Sequence, residues 1–284
     1  MRIERHETET SAWESARRPA APALRPYVLA EPEGWRWLQA RGGALTELRE
    51  VPFPGVPLIV NLGPPWAVAS EPGGCAGRER HDSFVAGLHT RPTFVRGSEQ
   101  WACLELRLTP LGARRLTGIP MHELANRTVE LGDVLPGTDE LSTRVREARS
   151  WDERFDVVER FLLRRLADSP APLPAVEWSW AHRRRTGGSV PIRALADEIG
   201  WSQRRLIARF REQIGVAPKT LARVIRFDRA VRLLRASAQQ GLAEIAFACG
   251  YFDQAHMNRE FRELAGTTPK ALIEALLGSG GVAA

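Results

Sequence analysis

Lysine is nearly missing from this sequence: 38 of its 40 basic residues are arginine. Cysteine is scarce, at 3 residues in 284. Cys75, Cys103 and Cys249 are odd in number, far apart and form no C-x-x-C pair, which argues against a disulfide framework and a cysteine zinc site. His81, His89 and His122 stand alone, without H-x-H or H-x-x-H spacing, so no metal site is expected. The chain has no G-x-S-x-G elbow, no glycine-rich phosphate loop and no cysteine with a convincing base. Hence no catalytic residue is assigned, no cofactor is expected, and the chain does not read as an enzyme. No apolar run approaches the ~18 residues of a membrane span, and Met1, Arg2, Ile3, Glu4 and Arg5 lead into polar sequence with no apolar signal core. A cytoplasmic chain without membrane contact is expected.

Charge is abundant but unevenly placed. From Ala175 to the end there are 15 Arg and 2 Lys against 10 Asp plus Glu, a net +7. The 174 residues before hold 23 basic and 24 acidic groups. The whole net charge of +6 therefore resides in the C-terminal part, where a polyanion such as DNA is attracted. An arginine-rich codon bias explains Arg over Lys but not this asymmetry.

Residues 169–175 read S-P-A-P-L-P-A, which cannot continue a helix or fill a central strand. They divide the chain into residues 1–168, a linker over 169–175, and residues 176–284. In the first part, β-prone runs punctuated by Gly and Pro occur at 44–51, 58–62, 66–69, 83–88, 93–96 and 101–108, a pattern that suits a small sandwich or barrel. Leu104, Leu106 and Leu108 alternate with Glu105 and Arg107, as in a strand with one face in water. Residues 151–166 place Phe155, Val158, Phe161, Leu162 and Leu166 on one helical face. Shorter helices are expected near 111–117 and 140–148. Trp35, Trp37, Trp66 and Trp101 fall in or near the β-rich part. With His89 they suit either the core or the wall of a pocket for an apolar or aromatic effector.

An internal repeat follows the prolines. Ile192, Leu195, Ala196 and Ile199 form an i, i+3, i+4, i+7 face closed by Gly200; fifty residues later Leu242, Ile245, Ala246 and Cys249 do the same, closed by Gly250. The offset then becomes fifty-one, with Leu206 matching Met257, Phe210 matching Phe261, and Gly215 matching Gly266. One residue has been added to the second turn. Each copy predicts a helix, a glycine turn and a second helix, over 203–213 and 254–265, with Ser202 and Asp253 as N-caps. That is the helix-turn-helix arrangement. Residues 219–236 predict a connecting helix of roughly 27 Å at about 1.5 Å per residue, close to the roughly 34 Å repeat of successive major grooves.

If the large apolar residues face inward, Gln203, Arg204 and Ile207 remain outside in the first copy, and Gln254, Asn258 and Arg259 in the second. Gln and Asn suit adenine, Arg suits guanine and Ile suits a thymine methyl, so these six are the expected base readers. Arg205, Arg209, Arg211 and Arg262, with the run Arg183, Arg184, Arg185, are expected on phosphates.

The segment G-Y-F-D-Q-A-H-M-N-R-E-F-R-E-L-A-G-T-T-P over 250–269, with L-A-D-E-I-G-W-S-Q-R-R-L and F-R-E-Q-I-G-V-A-P in the first copy, resembles the AraC/XylS family of bacterial transcription regulators over about residues 176–277. Many members carry Arg two residues after the leucine of the first reading helix, where this chain has Ala208. The N-terminal half is more loosely similar to the family's β-rich sensor or dimerisation domains. The resemblance implies an α+β chain: a β-rich, cupin-like barrel or sandwich with flanking helices, then an all-α domain of two helix-turn-helix motifs joined by a linker helix. It further implies double-stranded promoter DNA and RNA polymerase as partners, a homodimer, a small-molecule effector, and activation of transcription at the nucleoid. The alternative is an architectural DNA-binding protein whose N-terminal domain only binds another protein.

Overall fold

The computed structural model describes residues 2–7, 12–29, 35–41, 47–75, 80–98, 100–236 and 240–278. Its first half is built on strands β1 (Arg2–Glu7), β2 (Ala12–Arg18), β3 (Trp35–Arg41), β4 (Leu48–Glu50), β5 (Val56–Asn61) and β6 (Trp66–Ala69). They continue as β7 (Arg80–His81), β8 (Phe84–Ala86), β9 (Thr93–Arg96), β10 (Gln100–Leu108) and β11 (Thr128–Glu130). One antiparallel sheet runs β1-β2-β3-β10-β5-β8-β11 and a smaller one runs β4-β9-β6-β7. The expected strands are present as β4, β5, β6, β8, β9 and β10. The first three strands and the short β7 and β11 carried no readable pattern. β1 and β2 are dense in charge, and their pairing is supported by cross-strand contacts such as Arg5 to Glu14 at 2.6 Å.

β10 shows how the two faces of the larger sheet are used. Leu104, Leu106 and Leu108 are at most 1% exposed and pack among helices. Trp101, Cys103, Glu105 and Arg107, on the opposite face, line a cavity against residues of the smaller sheet. The expectation that Glu105 and Arg107 face water is thus corrected. Both are largely buried, and the alternation of polar and apolar side chains marks a cavity wall, tolerated because Arg107 pairs with Glu105 at 2.8 Å.

Behind the larger sheet lie α1 (Pro110–Thr117), α2 (Met121–Leu124), α3 (Leu131–Val134), α4 (Thr138–Glu147) and α5 (Trp151–Ala167). α5 buries Phe155, Val158, Leu162 and Leu166 as its periodicity predicts, and Ser150 caps it by accepting from the Glu153 amide. Arg18 of β2 joins Asp156 and Glu159 of α5, each at 2.7 Å.

The second half is helical: α6 (Pro174–Arg185), α7 (Ile192–Glu198), α8 (Gln203–Ile214), α9 (Pro218–Ala236), α10 (Leu242–Ala248), α11 (Gln254–Ala265) and α12 (Pro269–Gly278). α6 starts on Pro174, inside the proline-rich stretch, because proline at the first turn has no amide to leave unpaired. These helices share one apolar core, which also takes in Leu29, Leu88 and Leu111 of the first half. The contact between the halves is close at the end of α8. Gly215 has φ +105°, and a Cβ there would stand 3.0 Å from the Met121 carbonyl oxygen. Arg114 of α1 reaches Glu212 at 3.1 Å, and the Leu173 amide donates to Gln213 at 3.1 Å.

α2 is held between α8 and the β8–β9 connection, where Gly87 admits it: a Cβ at Gly87 would lie 1.9 Å from the Leu124 carbonyl oxygen. Gly87→Ala is expected to destabilise the protein by about 1–3 kcal/mol through forced backbone displacement. A lower denaturant midpoint at constant m-value is the readout, and an unchanged midpoint would refute the close approach.

Candidate nucleic-acid interface

The two copies of the repeat fold alike. Gly200 and Gly250 end α7 and α10 in left-handed backbone, at φ +66° and +79°. In each copy the following amide returns to the helix: Trp201 N–H donates to Ala196 O and Tyr251 N–H to Ala246 O, both at 2.9 Å. α8 is capped by Ser202, which accepts from the Arg205 amide at 3.3 Å, and α11 by Asp253, which accepts from the His256 amide at 2.6 Å. The turns occupy 199–202 and 249–253, so the inserted residue lies in the second turn, as the change of offset requires.

Leu206, Phe210, Met257 and Phe261 are all fully buried. They press the second helix of each copy against the common core, where Phe227 of α9 meets Phe261 with ring centroids 4.7 Å apart. α9, 19 residues long, spans about 28 Å and connects the copies. On the other side of α8, Gln203 and Arg204 are exposed and Ile207 is half-buried; on α11, Gln254 and Arg259 are exposed and Asn258 is half-buried. The Asn258 Oδ1 is buried without a hydrogen-bond partner.

The expected phosphate contacts differ in their surroundings. Arg211 and Arg262 are exposed. Arg205 lies over the Trp201 ring at 4.2 Å, which orients it without neutralising it. Arg209 is engaged by Glu212 at 2.7 Å, and the same carboxylate holds Arg114 of α1. Within the Arg183 to Arg185 run a correction is needed. Arg183 is 3% exposed, donates to the Gly188 carbonyl at 3.3 Å and has its pKa pulled down by burial. It lies on the inner side of α6 and cannot reach a phosphate.

Glu260 centres a buried ion-pair network that no sequence pattern predicted. It is 5% exposed on α11 and accepts from Arg223 and Arg226 of α9, each at 2.9 Å. Arg223 also pairs with Glu263, Arg226 lies over the Tyr251 ring at 5.1 Å, and His256 stands 3.8 Å from Glu260. Burial, and then the charge of Glu260, push the Tyr251 hydroxyl well above its ordinary range. The network ties α11 to α9 through Glu260 Oε1, while Oε2 is buried without a hydrogen-bond partner. Its signal in the sequence is a carboxylate in the stripe Met257, Phe261, Leu264.

The cavity between the two sheets measures about 120 Å3 and is lined by Trp66, Trp101 and His89. The first two also pack with Ile59, Phe84 and Cys103, so core and pocket wall coincide. The side chains of Trp35 and Trp37 lie outside the described residues; their backbone belongs to β3. Leu48, Val51 and Phe53 line the cavity on one side and pack against the helical core on the other. Burial opposes the charge of Arg107, but Glu105, Glu50 and Asp228 of α9 outweigh it and raise its pKa. Among the described residues no helix is long and apolar enough to cross a membrane, and no three His, Cys, Asp or Glu side chains converge as metal ligands.

Residues 195–275 match the family described as "Helix-turn-helix domain", and residues 16–130 match "Domain of unknown function (DUF6597)". No curated protein matches the chain. Among solved structures the chain is similar to ToxT from Vibrio cholerae O395, at 13% identity and a TM-score of 0.49 over 82% of this chain and 93% of that one. It is similar to unsaturated fatty acid bound ToxT from Vibrio cholerae strain SCE256, at 12% identity and a TM-score of 0.48 over 99% and 100% of the two chains. The DNA-binding domain of AdpA, a global transcriptional factor in complex with a target DNA, is similar at 25% identity and a TM-score of 0.35 over 38% of this chain and 97% of that one. With its paired helix-turn-helix copies and their family match, the chain carries a helix-turn-helix domain of the AraC type over residues 195–275, preceded by a DUF6597-family domain over residues 16–130.

Proposed function

We propose that this protein is a sequence-specific transcription regulator that reads two successive major grooves with α8 and α11. One observation carries the reading: two capped helices with the same buried frame, in copies joined by one connecting helix, present Gln, Asn and Arg side chains outward in the basic part of the chain. Gln203, Arg204 and Ile207 read bases in one groove and Gln254, Asn258 and Arg259 in the next. Arg205, Arg209, Arg211 and Arg262 hold phosphates. Because the outer residues of the copies differ, one subunit prefers an asymmetric site. Ala208 offers no long side chain, so the first copy makes fewer contacts than the second.

In this reading, residues 1–168 form an effector-binding or dimerisation unit, 169–175 the linker and 176–284 the DNA-binding unit. The inter-sheet cavity is the effector site, with Trp66, Trp101 and His89 in its wall. The protein acts in the cytoplasm on promoter DNA, as a homodimer that contacts RNA polymerase and activates transcription.

Binding to promoter DNA over random DNA, at one fixed moderate salt concentration, tests the regulator directly. A specificity ratio of at least ~10³ is expected, and a ratio near one would indicate an architectural binder. Arg259→Ala should lose about 1–3 kcal/mol on the specific site and relax preference at its base pair; an equal loss on every sequence would make Arg259 a phosphate contact. Glu260→Ala should lower stability by about 1–3 kcal/mol and reduce the specificity ratio, since α11 loses its anchor to α9. An unchanged ratio and an unchanged denaturant midpoint would remove Glu260 from the machinery.

A further inference from the structure

The second turn of the repeat carries a large side chain that the fold does not use. Matching Gly200 to Gly250, Trp201 to Tyr251 and the N-cap Ser202 to Asp253 leaves Phe252 as the residue added in the second copy. Tyr251 beside it is buried, whereas Phe252 is 92% exposed. A residue in this place, just before the N-cap, often packs on the side chain one turn into the helix. Here that side chain, Met257, is fully buried without it, and the Phe252 ring stands in water. Single exposed apolar residues are common; this one stands at the start of α11, on a backbone that is held.

The Phe252 amide donates to His256 Nδ1 at 3.4 Å, and the His256 amide donates to the Asp253 carboxylate at 2.6 Å. The His256 ring in turn meets the Tyr251 ring edge to face, with centroids 5.4 Å apart. Both residues at the helix entry are thus tied to its first turn. The surroundings are cationic. Burial raises the pKa of the Cys249 thiol at the start of the turn, and the charges of Arg229 and Arg232 on α9, both exposed, counter it. Arg226 approaches as well, since a Cβ at Gly250 would lie 3.9 Å from its Cδ. Phe252 therefore projects from a positively charged region two residues before Gln254, beside the end of a reading helix that meets base edges in the helix-turn-helix geometry. A polyanion with an apolar group between its charges fits this surface, and in a major groove that group is the thymine C5-methyl.

We propose that Phe252 is a specificity-determining residue whose ring packs on the C5-methyl of a thymine beside the bases read by α11. The proposal rests on the reading of α11 as a major-groove helix and adds a thymine contact to it. The first copy has no residue at this position, so the contact belongs to one half-site alone and adds to the asymmetry of the preferred DNA.

The test uses the full chain and the duplex that it selects from a random-sequence pool, with each thymine replaced in turn by deoxyuridine, which removes the methyl and keeps the base pair. At one thymine the replacement should weaken binding about fourfold, the worth of one buried carbon. Phe252→Ala should weaken the thymine duplex about fivefold or more and respond to that deoxyuridine by less than about 1.5-fold, because the two changes remove the same contact. Phe247→Ala removes the other exposed ring of this motif, 85% exposed on α10, and should keep the fourfold response. Both rings lie outside the core, so the denaturant midpoints of the two variants should match that of the parent chain. No response to deoxyuridine at any thymine, or an equal response in Phe252→Ala and the parent chain, would overturn the proposal. So would unchanged DNA binding by Phe252→Ala with loss of transcription by RNA polymerase in vitro, which would make the ring a protein contact. A pool that yields no preferred sequence would instead remove the regulator reading on which the proposal rests.

Discussion

One apolar core holds the helical half together, and the placement of α8 and α11 depends on it. Neither α8 nor α11 could bury its stripe alone, since a two-helix unit has too little interior. Leu206 and Phe210 from one copy and Met257 and Phe261 from the other are fully buried in a shared interior with Val224 and Phe227 of α9. The distance and angle between α8 and α11 are therefore set by packing against α9. Because the same interior takes in Leu29, Leu88 and Leu111, the β-rich half closes one side of it.

Buried charge refines what apolar packing leaves open. Apolar contact tolerates a small roll of a helix about its axis, and Glu260 adds a charge-assisted tie from α11 to both Arg223 and Arg226 of α9. Glu212 performs a related task at α8, holding Arg209 on its own helix and Arg114 across the domain contact. Under the proposed function a phosphate at Arg209 competes with that carboxylate, so that DNA contact and the contact between the halves draw on the same ion pairs.

The cavity lies beside this arrangement. Phe53 and Val51 face it and also press on the helical core, and Arg107 in its wall feels Asp228 of α9. The carboxy ends of α8 and α11 meet the first half as well: Gly215 faces Met121, and a Cβ at Gly266 would contact the Pro92 ring at 3.6 Å. Filling or emptying the cavity would be felt through packed side chains, which move between discrete arrangements and do not deform smoothly.

Local chemistry was enough to determine the helix-turn-helix copies. The glycines that end α7 and α10, the caps Ser202 and Asp253, the inward large residues and the extra residue in the second turn all follow from 3.6-residue periodicity and the left-handed turn that glycine permits. The α5 stripe and the strands with apolar alternation were readable for the same reason. Tertiary structure decided what depends on distant partners. β1 and β2 are strands because charged residues pair across them, and Gly87 matters because α2 passes over it. Arg183 is buried while its neighbours in sequence are not, and Glu105 and Arg107 face a cavity that forms only when the second sheet covers the first. A charge pattern along the chain specifies which residues prefer water; only the folded chain decides which of them are given a partner in its place.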